Sequence, residues 1–421
     1  MALRSLSKVQ KPLSCNHQGE YLSVPLKQTR SLPGAIVTGA DYRGLGLVRS
    51  LGRRGIPVWV LRHGDQYIAS FSKYATRVFD WHGDDPKARI NCLLDLAEKN
   101  NLEGWVLFPT DDYAVSLISQ HHECLAKRFR MTIPPWSELK CLVDKWQIHN
   151  LAGKLEIPRP WTSLPLHRQE VTSFNGTFPV ILKPRSRETS NPFSDAKAWA
   201  ANSLEELLLL YDKACELISP DQVMVQECIP GGGNSQVSFA ALCERGNPLA
   251  YLTATRARQT PMDFGRASTF VEAVEIPEII EPSVRLLAAT RFTGMVEIEY
   301  KRDQRDGQYK LLEANPRVWG WQTLCARAGI DFPYLLWLSV QGLPVPPVRG
   351  NINVRWVRMV MDLPLSFGEM ARGRMSLNSY LKSLRGPTEW AIYASDDPSP
   401  SLLEIPILIY QAARRILVGR I

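Results

Sequence analysis

Two short runs near residue 300 place oxygen donors where a strand period brings them together. In Glu297-Ile298-Glu299 and Glu313-Ala314-Asn315 the polar residues are two apart, so each pair leaves one face of an extended strand. Asp306-Gly307 between the runs is a hairpin signal, and a turn centred there sets Glu299 opposite Glu313. Like charges directly opposed in a sheet destabilise it, so a cation belongs between them. Two carboxylates and an amide oxygen form a hard oxygen set suited to Mg²⁺ that also holds phosphate oxygens. Arg317, just past Asn315, adds a fixed positive fork for a phosphoryl group. The competing reading is a solvated edge hairpin screened by Lys301, Arg302 and Lys310.

Four other features could carry chemistry. Lys183 ends the apolar run Val180-Ile181-Leu182 before Pro184, so its stem can lie along the core with the ammonium in a cleft. Lys145 is the second lysine of this kind, although either alone reads as a surface residue. The strand end Gln226-Glu227-Cys228-Ile229, before Gly231-Gly232-Gly233, offers the alternating carbonyls and amides that adenine requires, or is simply a strand leaving a sheet. Arg256, Arg258 and Arg266 surround Asp263-Phe264-Gly265 and suit a carboxylate or phosphate, unless they are ordinary surface arginines. The turn Gly39, Gly44 and Gly46 lacks the G-x-G-x-x-G spacing, and Leu61-Arg62-His63 supplies no carboxylate for a ribose. Arg62 facing a 2′-phosphate would make the chain an NADP-dependent oxidoreductase; otherwise the glycines only let helix and sheet pack closely.

These residues need elements to hold them. Ala35–Thr38, a helical spacing through Leu51, and Val58–Leu61 form a βαβ unit. Further strands are expected at 105–108, before the loop Thr110-Asp111-Asp112, and at 130–133, so 34–138 reads as a Rossmann-like parallel sheet. A helix follows Asp144. Strands are expected at 180–182, 223–226, 236–243, 249–255, 295–301 and 308–314, with a helix over 204–218 and another opened by Pro282. Residues 139–345 therefore mix antiparallel strands and helices, an α+β region. Residues 1–33 read as a flexible basic arm, and 346–421 as a weakly patterned C-terminal extension. Within that extension the apolar and basic segment 402–421 is expected to pack on the preceding α+β domain from a start near Pro406, or to touch an anionic membrane surface.

Composition removes several classes. The chain has 421 residues with 45% hydrophobic and 22% charged, ordinary values for a globular protein of two or three domains. Its net charge of +8 is spread along the chain, which suits an anionic small substrate better than a nucleic-acid stripe. The eight cysteines form no C-x-x-C, arguing for reduced thiols and a cytoplasmic home. All seven histidines lie at or before His167, so a metal site beyond it must use carboxylates. No apolar run is long enough for a membrane span.

Taken in order, Asp144-Lys145, Ile157-Pro158-Arg159-Pro160, Pro179–Pro184, Val225–Gly231, Gly294–Glu299 and Leu312-Glu313-Ala314-Asn315-Pro316-Arg317 resemble the ATP-grasp superfamily. The likeness is to its carboxylate–amine ligase branch, which includes D-aspartate ligase, D-alanine–D-alanine ligase and the carbamoyl phosphate synthase large chain. It covers about 35 to 345. The resemblance implies a Rossmann-like domain followed by an α+β fold whose two lobes clasp ATP. It implies Lys145 and Lys183 on the α- and β-phosphates, and Gln226 with the backbone of Glu227 and Ile229 on adenine. Mg²⁺ (or Mn²⁺) would be held by Glu299, Glu313 and Asn315, with Arg317 on the γ-phosphate. Arg256 or Arg258 would hold the substrate carboxylate. Two departures stand out. The segment 185–192 has no glycine where many members carry a glycine-rich phosphate lid, and Asn234 is the nearest polar residue where a ribose-binding glutamate is usual. The implied activity is ATP-dependent amide formation between a small carboxylate and an amine, through an acyl phosphate. A non-catalytic ATP-binding module of the same fold is the alternative.

Overall fold

The computed structural model describes residues 33–417 except 84, 187–190, 197, 263, 264, 266 and 347, and excludes the side chains of 195, 234 and 415–417. The arm, Arg266, Asp263-Phe264, the centre of the 185–192 segment, the Asn234 side chain and the last four residues therefore lie outside the described residues.

Short apolar runs joined by helices give a parallel sheet. Ala35–Thr38 pairs with Val58–Arg62 on one side and Val106–Pro109 on the other; Ala75–Asp80 and Arg130–Met131 are the edges. The strands stand in the spatial order third, second, first, fourth, fifth. The first and fourth strands are buried throughout, as central parallel strands must be. Ala75–Asp80 is not apparent from the sequence because this edge strand, Ala-Thr-Arg-Val-Phe-Asp, has neither a continuous apolar run nor a buried residue. Asp41 caps the helix Tyr42–Gly52 by accepting from the amides of Arg43 and Gly44. Gly39 has φ of +144°, and a side chain there would meet Thr110 Oγ1.

A small antiparallel sheet, ordered Thr162–Ser163, Val223–Glu227, Val180–Pro184, Trp199–Ala201, follows. Its inner face packs Val180, Leu182, Val223 and Val225 against Leu207 and Tyr211 of the helix Leu204–Cys215. The large sheet has eight strands. From one edge it runs Tyr309–Asn315, Gly294–Arg302, Gln236–Glu244, Asn247–Thr260, Ala267–Ala273, Arg355–Val357, Thr388–Trp390, with Val348–Arg349 beside Asn247–Thr260.

The structure corrects three expectations. Pro282 lies inside the helix Pro277–Thr290, which opens at Pro277, where a proline's missing amide costs nothing. Buried Ile279, Ser283, Leu286 and Leu287 keep one face packed across Pro282. Pro406 likewise lies within the helix Ser399–Leu417, which begins seven residues earlier than expected. That helix packs on Ile68–Phe71 beside the parallel sheet, and its Glu404 reaches Arg358 just past the large sheet's strand Arg355–Val357, with Leu402, Ile405 and Ile409 facing solvent. The residues beyond 345 are structured too: Arg355–Val357 and Thr388–Trp390 extend the large sheet, and Trp356 is fully buried. No helix among the described residues is long and apolar enough to cross a membrane.

Candidate active site

The carboxylate hairpin forms with the expected register. Glu297 lies opposite Asn315 and Glu299 opposite Glu313, with a bulge just beyond. The cation required between opposed charges is protein-borne. Arg256, buried on the strand Asn247–Thr260, brings Nη1 to 2.6 Å from Glu299 Oε2. Burial works against its charge, but Glu299, Glu297 and Glu313 outweigh that and raise its pKa. Glu297 accepts from Ser238 Oγ and Trp321 Nε1, each at 2.9 Å, and burial together with Glu299 pushes its carboxyl up to about 7. Asn315 Nδ2 donates to Glu299 Oε1 at 3.0 Å and its oxygen accepts from Arg317 Nη2 at 3.1 Å.

Arg317 is fixed from the other side by Asp112, which its Nε contacts. Asp112 opens the helix that follows the fourth strand of the parallel sheet, so this ion pair ties the sheet's C-terminal edge to the large sheet. Burial opposes the charge on Arg317, and Asp112 raises its pKa above the ordinary value. Next to Asp112, Asp111 caps the same helix and lies 2.8 Å from His63 Nε2. Burial would raise the Asp111 carboxyl, but His63, the Ala114 amide and Arg43 hold it down at about 2.

Two neighbouring cavities collect the remaining candidates. The larger, about 280 Å³, is lined by Lys145, Lys183, Gln226, Glu227, Ile229, Glu299 and Glu313. The smaller is lined by Lys145, Glu313, Asn315, Arg317, Asp112 and Trp136. Lys183 ends an inward-facing strand and is 8% exposed, its head at the cavity wall. Lys145 begins the helix Lys145–Lys154, whose cap Asp144 is gripped by Arg185 at 2.7 Å. Gln226 Nε2 donates to Thr162 Oγ1 at 2.9 Å and stands 3.2 Å from His149 Nε2. The Glu227 amide donates to the Trp161 carbonyl, its carboxylate takes the Trp161 amide and Arg305, and the Ile229 carbonyl accepts from Lys301 Nζ at 2.9 Å.

Arg258 is not brought here. Its guanidinium forms a two-pronged pair with buried Asp362, 2.8 and 2.7 Å, and lies 4.0 Å from the Phe270 ring. An irregularity between Thr255 and Arg258 breaks the register that would have kept it beside Arg256. The glycine turn is filled by protein: a side chain at Gly44 would strike the Gly39 carbonyl and one at Gly46 the Gln322 side chain. Arg62, offered to a 2′-phosphate, pairs with Asp80 at 2.8 Å. Sequence reasoning missed His149 and Arg305, and it named Lys301 and His63 without their partners, since Leu312 and Gln226, Glu227, Ile229 and Asp111 respectively lie far along the chain.

The donors fit a divalent cation. Among the described residues no three His, Cys, Asp or Glu side chains converge as a ready cage. Mg²⁺ needs no such cage; one or two carboxylates with phosphate oxygens suffice. Glu299 is held by Arg256 at Oε2 and by Asn315 at Oε1, and Glu313, directly opposite, lines both cavities.

Residues 219–360 match the family described as ATP-grasp in the biosynthetic pathway with Ter operon. The chain carries an ATP-grasp domain. The larger cavity lies between the small sheet and the large sheet, and the smaller one between the end of the large sheet's edge strand and the helix that Asp112 opens. D-aspartate ligase from Enterococcus faecium (strain Aus0004) is 24% identical over 300 residues, 67% of this chain and 70% of that protein. Solved structures share the fold of this chain. The biotin carboxylase domain of Hydrogenobacter thermophilus 2-oxoglutarate carboxylase, solved with MgADP, ADP and bicarbonate, superposes with a TM-score of 0.61 at 14% identity, covering 77% of this chain and 74% of that one. L-amino acid ligase from Bacillus licheniformis gives 0.59 at 12% identity, covering 74% and 75%.

Proposed function

We propose that the chain is an ATP-dependent ligase that joins a carboxylate to an amine through an acyl phosphate. The observation that carries this reading is that a cavity of about 280 Å³ lined by Lys183 and Gln226 meets a smaller one lined by Arg317, the two sharing Lys145 and Glu313. Gln226 and the backbone of Glu227 and Ile229 hold adenine, and Lys145 and Lys183 meet the α- and β-phosphates. Glu299, Glu313 and Asn315 would hold Mg²⁺, which would supply charge neutralisation to the transferring phosphoryl group. Arg317, kept in place by Asp112, faces the γ-phosphoryl group. Arg256 balances Glu299 and orients it. The similarity to D-aspartate ligase and L-amino acid ligase supports a C–N bond as the product. The parallel sheet, about 34–138, is the Rossmann-like domain that precedes the ATP-grasp lobes and supplies the Asp111-Asp112 edge.

The chemistry asks for positioning and charge neutralisation. A carboxylate oxygen attacks the γ-phosphorus while the bond to ADP breaks. The nitrogen lone pair of a neutral amine then attacks the acyl carbon, the carbon–oxygen bond to phosphate breaks, and the nitrogen releases a proton to solvent. A coupled assay of ADP release with Mg-ATP, over panels of carboxylic acids and amines, should show turnover that needs both. Glu313→Ala should lower that turnover by about 10²-fold or more with an unchanged melting curve, because its removal opens no core cavity. Near-normal turnover would take Glu313 out of the site. A protein stabilised by NADPH and not by Mg-ATP would overturn the whole reading.

A further inference from the structure

The two lysines of the larger cavity come from different walls. Lys145 opens a helix that goes with the large sheet: Lys145–Lys154 packs on the strand Tyr309–Asn315, and His149 Nε2 lies 3.0 Å from the Leu312 carbonyl. Lys183 is on Val180–Pro184, an inner strand of the small sheet. Arg185, just past the end of that strand, continues the pairing, its amide donating to the Gln222 carbonyl at 2.9 Å.

Arg185 and Asp144 join these walls. Arg185 Nη2 donates to Asp144 Oδ2 at 2.7 Å, and Nε lies 2.9 Å from the same oxygen and 3.0 Å from Oδ1. The backbone repeats the link, the Lys145 amide donating to the Arg185 carbonyl at 3.2 Å. The same carboxylate caps the helix, accepting from the amides of Trp146 and Gln147 at 3.0 and 3.1 Å and from Gln147 Nε2 at 2.7 Å. Burial alone would raise the Asp144 carboxyl, but Arg185 and Gln147 hold it below its ordinary value, so the pair is charged at neutral pH. A two-pronged guanidinium–carboxylate pair fixes direction as well as distance. Lys145 follows Asp144 directly, and Lys183 precedes Arg185 by two residues, so each end of the pair carries one cavity lysine. Ser186, next to Arg185, lines the smaller cavity with Lys145 and Glu313, whereas Arg185 and Asp144 line neither.

We propose that Arg185 and Asp144 are positioning residues of the nucleotide site: their pair latches the small sheet to the helix that carries Lys145, and so holds Lys183 and Lys145 at the spacing a bound polyphosphate requires. The proposal rests on the reading of the larger cavity as an ATP site. Mg-ATP is titrated calorimetrically into the full chain and into Asp144→Asn, Arg185→Gln and the double variant, each well below its melting temperature. Asparagine caps a helix about as well as aspartate, so Asp144→Asn removes the charge and keeps the helix start. Each single variant should weaken Mg-ATP binding at least about tenfold. The double variant should be no weaker than the worse single one, because the same pair is lost in all three. Arg185→Lys, which keeps the charge and loses the fork, should recover part of the affinity. Lowered melting temperatures with unaltered affinity would make the pair merely structural and overturn the latch, leaving the ATP reading in place. An Arg185 that touched the phosphates itself would be released by Asp144→Asn; affinity kept or raised in that variant, yet lowered in Arg185→Gln, would also overturn the latch. A parent that does not bind Mg-ATP at all would overturn the ATP reading itself.

Discussion

Lys183 shows how a charge is held at the wall of a cleft. Its strand runs inward, so the stem packs while the head reaches the cavity. Lys183→Ala should raise the KM for ATP and lower kcat. Lys73→Ala, whose ammonium lies 5.0 Å over the Tyr74 ring and outside both cavities, should change neither. Steady-state kinetics on the two variants decide it, and indistinguishable behaviour would remove Lys183 from the site. Arg256 and Arg258 are indistinguishable by type and two apart, yet one faces Glu299 and the other Asp362. Removing one partner of a buried pair leaves an uncompensated charge, so Arg258→Ala should cost about 3–5 kcal/mol in denaturant unfolding. The folded fraction should keep its KM for ATP. A changed KM with unchanged stability would return Arg258 to the active site.

At the scale of elements, the hairpin was readable because its determinants are local: a strand period of two and an Asp-Gly turn. The tail was not readable. Arg355–Val357 is three residues long, and only pairing with Ala267–Ala273 and Thr388–Trp390 makes it a strand. It brings Trp356 into the core, where Nε1 donates to Thr323 Oγ1 at 3.0 Å. A chain ending at 345 loses both outer strands and this tryptophan, so it should show no cooperative melting transition. A truncated protein that melts cooperatively and is stabilised by Mg-ATP would mean that the ATP-grasp lobes close without the extension.

For the whole molecule, acid sensitivity follows from what folding buries. His149 is fully buried behind Gln226, and burial first, then Lys183, pushes its pKa down to about 3. The unfolded chain binds a proton there from about pH 6.5 downward and the folded chain does not. Its contribution is thus fully present above 6.5 and is lost as pH falls towards 3. Glu297, raised to about 7, acts oppositely and loses stability as pH rises from its ordinary value. The comparison that isolates His149 is therefore differential. Between pH 7.5 and 4.5 the melting temperature of the parent should fall relative to that of His149→Gln; parallel profiles would show that His149 is not held neutral.

The amino-acid sequence by itself determined much of the alternation of strands and helices, the opposed carboxylates, and the order in which Lys145, Lys183, the Gln226-Glu227 strand end and the Glu299, Glu313 and Asn315 set follow one another. All of these depend on spacings of a few residues, where backbone period and turn chemistry act directly. Only the tertiary structure decided which charges meet. Arg317 finds Asp112 from 205 residues away, Arg258 finds Asp362 from 104, and Arg358 meets Glu404 of the C-terminal helix. Such pairings depend on how sheets and helices stack, and burial then makes each one matter, because a charge removed from water must find its partner wherever the fold has placed it.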